Sequence, residues 1–135
     1  MPFFSPLPRR YGPSIALASL LAVSASLATA QTPPSVSADN GQITVSGSEL
    51  LTNSCWNSSG LKAGAPAGQI VPENAQAVQL TLTNNGGDIC AMVVTPAAYS
   101  LTLNKDESRP FVIFYRSIIG RNDGVTSTIF SPTER

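Results

Sequence analysis

Residues 78–87 read VQLTLTNNGG, and this stretch decides the fold class. Val78, Leu80 and Leu82 alternate with Gln79, Thr81 and Thr83, a period of two that sends successive side chains to opposite faces of a strand. One face is therefore predicted to meet a core and the other water. Asn84-Asn85-Gly86-Gly87 follows at once with residues that tolerate positive φ, so the chain is predicted to turn there.

The same period extends outward from this centre. Ile89 to Val94 (ICAMVV) is apolar on both faces and bounded by Gly87 and Pro96, which predicts a central strand carrying Cys90 into the core. Tyr99, Leu101 and Leu103 alternate with Ser100, Thr102 and Asn104, predicting a half-buried strand that ends in a charged hairpin turn, Lys105 to Arg109. Phe111 to Tyr115 is apolar throughout: one face belongs to the core, the other to the core or to an apolar edge open to a second chain. Arg121-Asn122-Asp123-Gly124 is a hairpin signal, and Val125 to Phe130 (VTSTIF) is the returning strand. On the N-terminal side, Gln42 to Ser46 reads as a short edge strand and Glu49 to Trp56 as a short strand reaching Cys55. Gly60 to Gly68 (GLKAGAPAG) has the composition of a loop, and Pro72 limits any strand at Gln69 to Val71. Residues 31–40 (QTPPSVSADN), with two adjacent prolines, read as a disordered leader with no packing of its own.

Residues 1–30 have the three parts of a secretory signal peptide. Arg9 and Arg10 supply the positive charge, Ile15 to Leu27 an uncharged apolar run too short for a membrane span, and Ala28-Thr29-Ala30 the small-x-small cleavage site. Cleavage leaves Gln31 as the N-terminus; an uncleaved N-terminal anchor is the alternative. The domain is then residues 41–135. Over the whole mature chain, residues 31–135, Lys62, Lys105, Arg109, Arg116, Arg121 and Arg135 stand against eight acidic residues, a charge of about −2 with scattered cations, which argues against a nucleic-acid or anionic-membrane partner.

Cys55 and Cys90 both follow the cleavage site and would meet an oxidising compartment together, so a disulfide is predicted, with a pair of unlinked buried thiols as the alternative. Seven short strands stapled by one disulfide predict a small antiparallel β-sandwich, all-β in class. The stretch from Val78 to Tyr115 adds a likeness: V-x-L-T-L-T-N-N-G, an apolar strand, a Tyr/Leu alternation, a polar turn with Ser108, and F-V-I-F-Y. It resembles the central strands of immunoglobulin-like accessory domains of bacterial exported proteins. That resemblance implies an immunoglobulin-like sandwich that binds or spaces rather than catalyses.

The chain has no histidine, which removes the usual general base, the Ser-His-Asp triad and the Cys-His pair. With both cysteines bonded no thiolate remains for a metal, and no phosphate loop, dinucleotide turn or nucleophile elbow is present. No cofactor or metal is therefore predicted. Adjacent Asp106 and Glu107 read as a solvated turn rather than a catalytic pair, and Asp88 and Asp123 as turn residues rather than calcium ligands. Asn57-Ser58-Ser59 matches a glycosylation acceptor. Trp56 is expected to pack on the bridge, with a partner-anchoring role as the alternative. Together these readings predict a secreted or periplasmic, non-catalytic binding or structural module, holding a protein or glycan partner through a sheet face or edge. The alternative is a small histidine-independent enzyme, for which Asp88, Asp123, Arg116 and Arg121 would have to converge in one pocket.

Overall fold

The computed structural model describes residues 31–87 and 89–134. The predicted signal peptide, Asp88 and Arg135 lie outside these residues. The described chain forms eight strands and no helix: β1 (Thr32–Asp39), β2 (Gln42–Leu51), β3 (Trp56–Ala63), β4 (Ala75–Asn84), β5 (Thr95–Asn104), β6 (Phe111–Ile119), β7 (Gly124–Phe130) and β8 (Thr133–Glu134). They make two four-stranded sheets, ordered β5-β2-β1-β8 and β3-β4-β6-β7.

Strand alternation builds the core between the sheets. Val36 and Ala38 on β1, Ile43 and Val45 on β2, and Tyr99 on β5 face Val78, Leu80 and Leu82 on β4 and Val112 and Phe114 on β6. The Tyr99 and Phe114 rings close the gap, with centroids 5.8 Å apart and planes tilted by 39°. A second, smaller cluster lies around Ala75, Ile113 and Tyr115, joined by Ala65 and Val71 from the segment between β3 and β4. The Tyr115 hydroxyl donates to the Ile70 carbonyl at 3.1 Å, fastening that segment. This explains why Phe111 to Tyr115 is apolar throughout: inward residues meet the sandwich core, and outward ones meet the covering loop.

Several expectations are corrected. Residues 31–40 are not a disordered leader, because Thr32–Asp39 pairs with β2 and buries Val36 and Ala38. Asn40 and Gly41 both have positive φ, 51° and 77°, and close a two-residue hairpin between Asp39 and Gln42. Pro33 and Pro34 fall where the β1/β2 register shifts, between Thr32 and Ser35, so their missing N–H groups interrupt a ladder already broken there. The strand predicted at Gln42 to Ser46 runs on to Leu51 and lies between β5 and β1 rather than at an edge. Cys55 precedes β3 instead of ending a strand, and β3 claims Gly60 to Ala63 from the predicted loop.

Ile89 to Val94 is not a central strand but part of the β4–β5 connection, with Ile89, Met92, Val93 and Val94 exposed. Phe111 to Tyr115 is not an edge, because β6 lies between β4 and β7. The Lys105 to Arg109 turn is a crossover from one sheet to the other rather than a hairpin. Nor is the sandwich wholly antiparallel: β4 pairs with β6 in parallel over nine residue pairs, and β1 pairs with β8 in parallel. The parallel pairing follows from β5, which leaves for the opposite sheet and returns the chain in its original direction.

Candidate functional site

One end of the sandwich gathers the bridge, an interior ion pair, a cleft and an apolar loop. The alternation of β2 explains the ion pair. Ile43 and Val45 point inward, and two residues on at each step so do Gly47 and Glu49. On β6 the inward row is Val112, Phe114, Arg116 and Ile118. Glu49 and Arg116 therefore meet between the sheets: Arg116 Nε donates to Glu49 Oε2 at 3.2 Å and Nη2 donates to Oε1. The fork binds both carboxylate oxygens, which suits the rigid guanidinium plane. The Glu49 side chain is only 7% exposed and that of Arg116 35%.

Tyr99 lies beside this pair. Burial, and then the negative charge of Glu49, push its hydroxyl pKa from 10.0 up to about 12, against a lowering from Arg116. Its ring passes over Gly47, where an added Cβ would collide with the hydroxyl oxygen and lie 2.7 Å from Cζ. Glycine at 47 thus makes room for the tyrosine. A cleft of about 150 Å³ opens at the ion pair, lined by Leu51, Thr52, Trp56, Leu82 and Ile118 besides the two charges. Trp56 is half-buried and packs against the main core.

The Cys55–Cys90 disulfide is formed, with Cα atoms 5.4 Å apart. It joins the β2–β3 connection to the β4–β5 connection, loop to loop, enclosing the β3–β4 hairpin. Hydrogen bonds lace the same two segments together: Ser54 N donates to Ala91 O at 3.0 Å, Ala91 N to Ser54 Oγ at 2.8 Å, and Asn85 N to Cys55 O at 2.9 Å. The loop so fixed presents Ile89 and Met92 at 91% and 85% exposure, with Val93 and Val94 more than half exposed. Burying such side chains is worth about 1.5–3 kcal/mol each, so a fixed loop that leaves four of them in water forgoes a large stabilisation.

The remaining predicted residues lie elsewhere. Asp106 is bound within its own turn, accepting from the Ser108 hydroxyl at 2.7 Å and from Arg109 Nε at 2.9 Å; these bonds hold its carboxyl at about 2. Glu107 sits beside it on a cleft of about 270 Å³ with Lys105 and Glu134, where the Glu134 carboxylate accepts a 3.0 Å bond from Lys105 and raises the lysine pKa. Asp123 Oδ1 accepts from Gly120 N at 2.8 Å, fixing the β6–β7 turn, and Arg121 is exposed in that turn. Arg116 lines the cleft beside Glu49, which engages its charge, whereas Arg121 and Asp123 belong to the β6–β7 turn. Asn57 is exposed on β3, paired with Thr83. Among the described residues no three acidic or cysteine side chains gather as metal ligands. Glu49 does not stand out in the sequence, which divides this region into two strands, Gln42 to Ser46 and Glu49 to Trp56; running the alternation of Ile43 and Val45 on through one strand turns Glu49 inward. No protein family, no curated protein and no solved structure matches this chain.

Proposed function

We propose that the chain is an exported, non-catalytic binding module that grips a protein partner with the apolar β4–β5 loop. The observation that carries this is the exposure of Ile89, Met92, Val93 and Val94 on a segment tied down by a disulfide and by hydrogen bonds to the neighbouring loop. A loop ordered before binding loses less conformational entropy on association, so its apolar area converts more fully into affinity. The lack of charge among Ile89 to Val94 favours a protein surface, where such side chains anchor in pockets. A glycan partner has less in its favour, because the one tryptophan is half-buried against the core rather than offered as a stacking plane. The small-enzyme alternative called for Asp88, Asp123, Arg116 and Arg121 in one pocket; the engagement of Arg116 by Glu49 and of Asp123 by the Gly120 N–H supports the binding reading instead.

Export belongs to the same reading. It is supported by the tripartite character of residues 1–30, by the bridge, which persists in an oxidising compartment, and by β1, which begins at Thr32 just after the predicted cleavage point. An immunoglobulin-like architecture enters it only at the level of two stacked sheets. The test is capture from the native source with the purified exported protein and with an Ile89→Ser/Met92→Ser variant of unchanged melting behaviour. A protein retained by the first and lost by the second supports the proposal. Equal capture by both, or none by the unaltered protein, overturns it.

A further inference from the structure

The sandwich has four outer strands, and a free strand edge is a template for another strand unless something blunts it. Three of the four are blunted. β3 carries Lys62 and a register shift between Ser58 and Leu61, with Gly60 at φ 77°. β5 carries Pro96 and packs against β3 across one flank of the sandwich. β8 is two residues long, and its Glu134 is paired with Lys105. β7 has none of these devices. Gly124–Phe130 contains no charge and no proline, and its register with β6 runs unbroken from Gly124 opposite Ile118 to Phe130 opposite Val112. Six of its seven residues are exposed, so nothing in the described chain covers that edge.

We infer that β7 is the pairing edge for a second copy of this chain, antiparallel about a two-fold axis through Ser127. The strand is chemically close to a palindrome about that residue. Antiparallel pairing of GVTSTIF with itself sets Val125 opposite Ile129, Thr126 opposite Thr128 and Ser127 opposite Ser127, and the first two pairings occur twice. An axis through a residue is compatible with either phase of the free N–H and C=O groups. Val125 and Ile129, 37% and 57% exposed in the single chain, share the face that also carries Ile113 and Ser117 on β6. Dimerisation would place each on the other and extend that apolar stripe across the axis. Facing β-branched pairs and facing hydroxyls are both favourable cross-strand neighbours. The interface is isologous and closes at two, because the far edge of the same sheet, β3, is blunted. A foreign strand would find the same backbone groups, but only a second copy repeats both side-chain pairings.

The test uses the purified exported protein in sedimentation over a wide concentration range. A doubling of mass with concentration is expected. Ser127→Lys places two like charges face to face on the axis and should return the protein to single chains with unchanged circular dichroism. Ser127→Glu should do the same, and an equimolar mixture of the two variants should restore the doubled mass. Ile89→Ser/Met92→Ser, which removes the proposed partner loop at the other site, should leave the mass doubling intact. A protein that is a single chain at every concentration, or a dimer that survives both Ser127 variants, overturns the inference. So does a dimer dissolved by the loop variant. Should the Ser127 variants fail to fold, hydrogen exchange of the unaltered protein decides: protection of alternate β7 amides that rises with concentration supports pairing, and protection independent of concentration refutes it.

Discussion

Glu49 and Arg116 are the two charges that their strands turn inward, and each is tolerable only because of the other. Bringing a carboxylate out of water is costly, and the bidentate guanidinium offsets that cost without making the pair a strong net stabiliser. Replacing both with apolar residues should therefore be nearly neutral, whereas removing one is severe. Arg116→Met strands a carboxylate that is 7% exposed. Breaking a fully buried pair costs about 3–5 kcal/mol, and the partly open Arg116 side reduces the expectation to about 2–4 kcal/mol. Glu49→Leu/Arg116→Met should recover most of that loss. Urea unfolding of the two single variants and the double variant measures the coupling; a double variant as unstable as Arg116→Met would show that the pair does more than neutralise itself. Gly47 belongs to the same neighbourhood, since the space that it leaves is what Tyr99 fills.

Among the elements, β1 has the largest consequence for where the domain begins. Its pairing moves β2 to the sheet interior, and it adds Val36 and Ala38 to the core. A chain beginning at Gly41 would lose those side chains and expose the ladder of β2. The loss should be about 3 kcal/mol or more, a large part of the stability of a small domain. Thermal melts of the two lengths check this, and equal midpoints would mean that β1 is dispensable. The prolines at 33 and 34 hid β1 in the sequence, although Asn40-Gly41 was a hairpin signal in plain view. β4, β7 and the turn at Arg121 to Gly124 were legible, because two-residue alternation and turn chemistry act locally. Ile89 to Val94 was not, since an apolar run reads the same whether it is buried or displayed. Of the candidate site, the bridge was legible from its two cysteines. The ion pair required knowing how far β2 runs, and the direction of the β4–β6 pairing depended on β5 crossing to the other sheet.

For the whole molecule, the bridge is the one covalent constraint beyond the backbone, closing a loop of 35 residues. In the chain-entropy account such a loop stabilises by about 2–4 kcal/mol, and reduction should lower the melting temperature by very roughly 10–25 °C. Because both cysteines sit in connections, the strands should survive reduction at low temperature while Ile89 to Val94 loosens. Melting with and without reductant, with thiols titrated, tests this; an unchanged curve after confirmed reduction would remove the bridge from the account of stability. The parallel seating of β6 beside β4 has a consequence in time. A chain entering a new compartment with its N-terminus leading can form the β1–β2 and β3–β4 hairpins early, because their partners arrive together. β6 reaches β4 only after β5 has crossed to the other sheet, and β8 reaches β1 only after every other strand has passed. No early portion of the chain is thus a finished domain. The two sheets can be completed only when these late strands arrive, and until then β4 and β1 each keep one open edge.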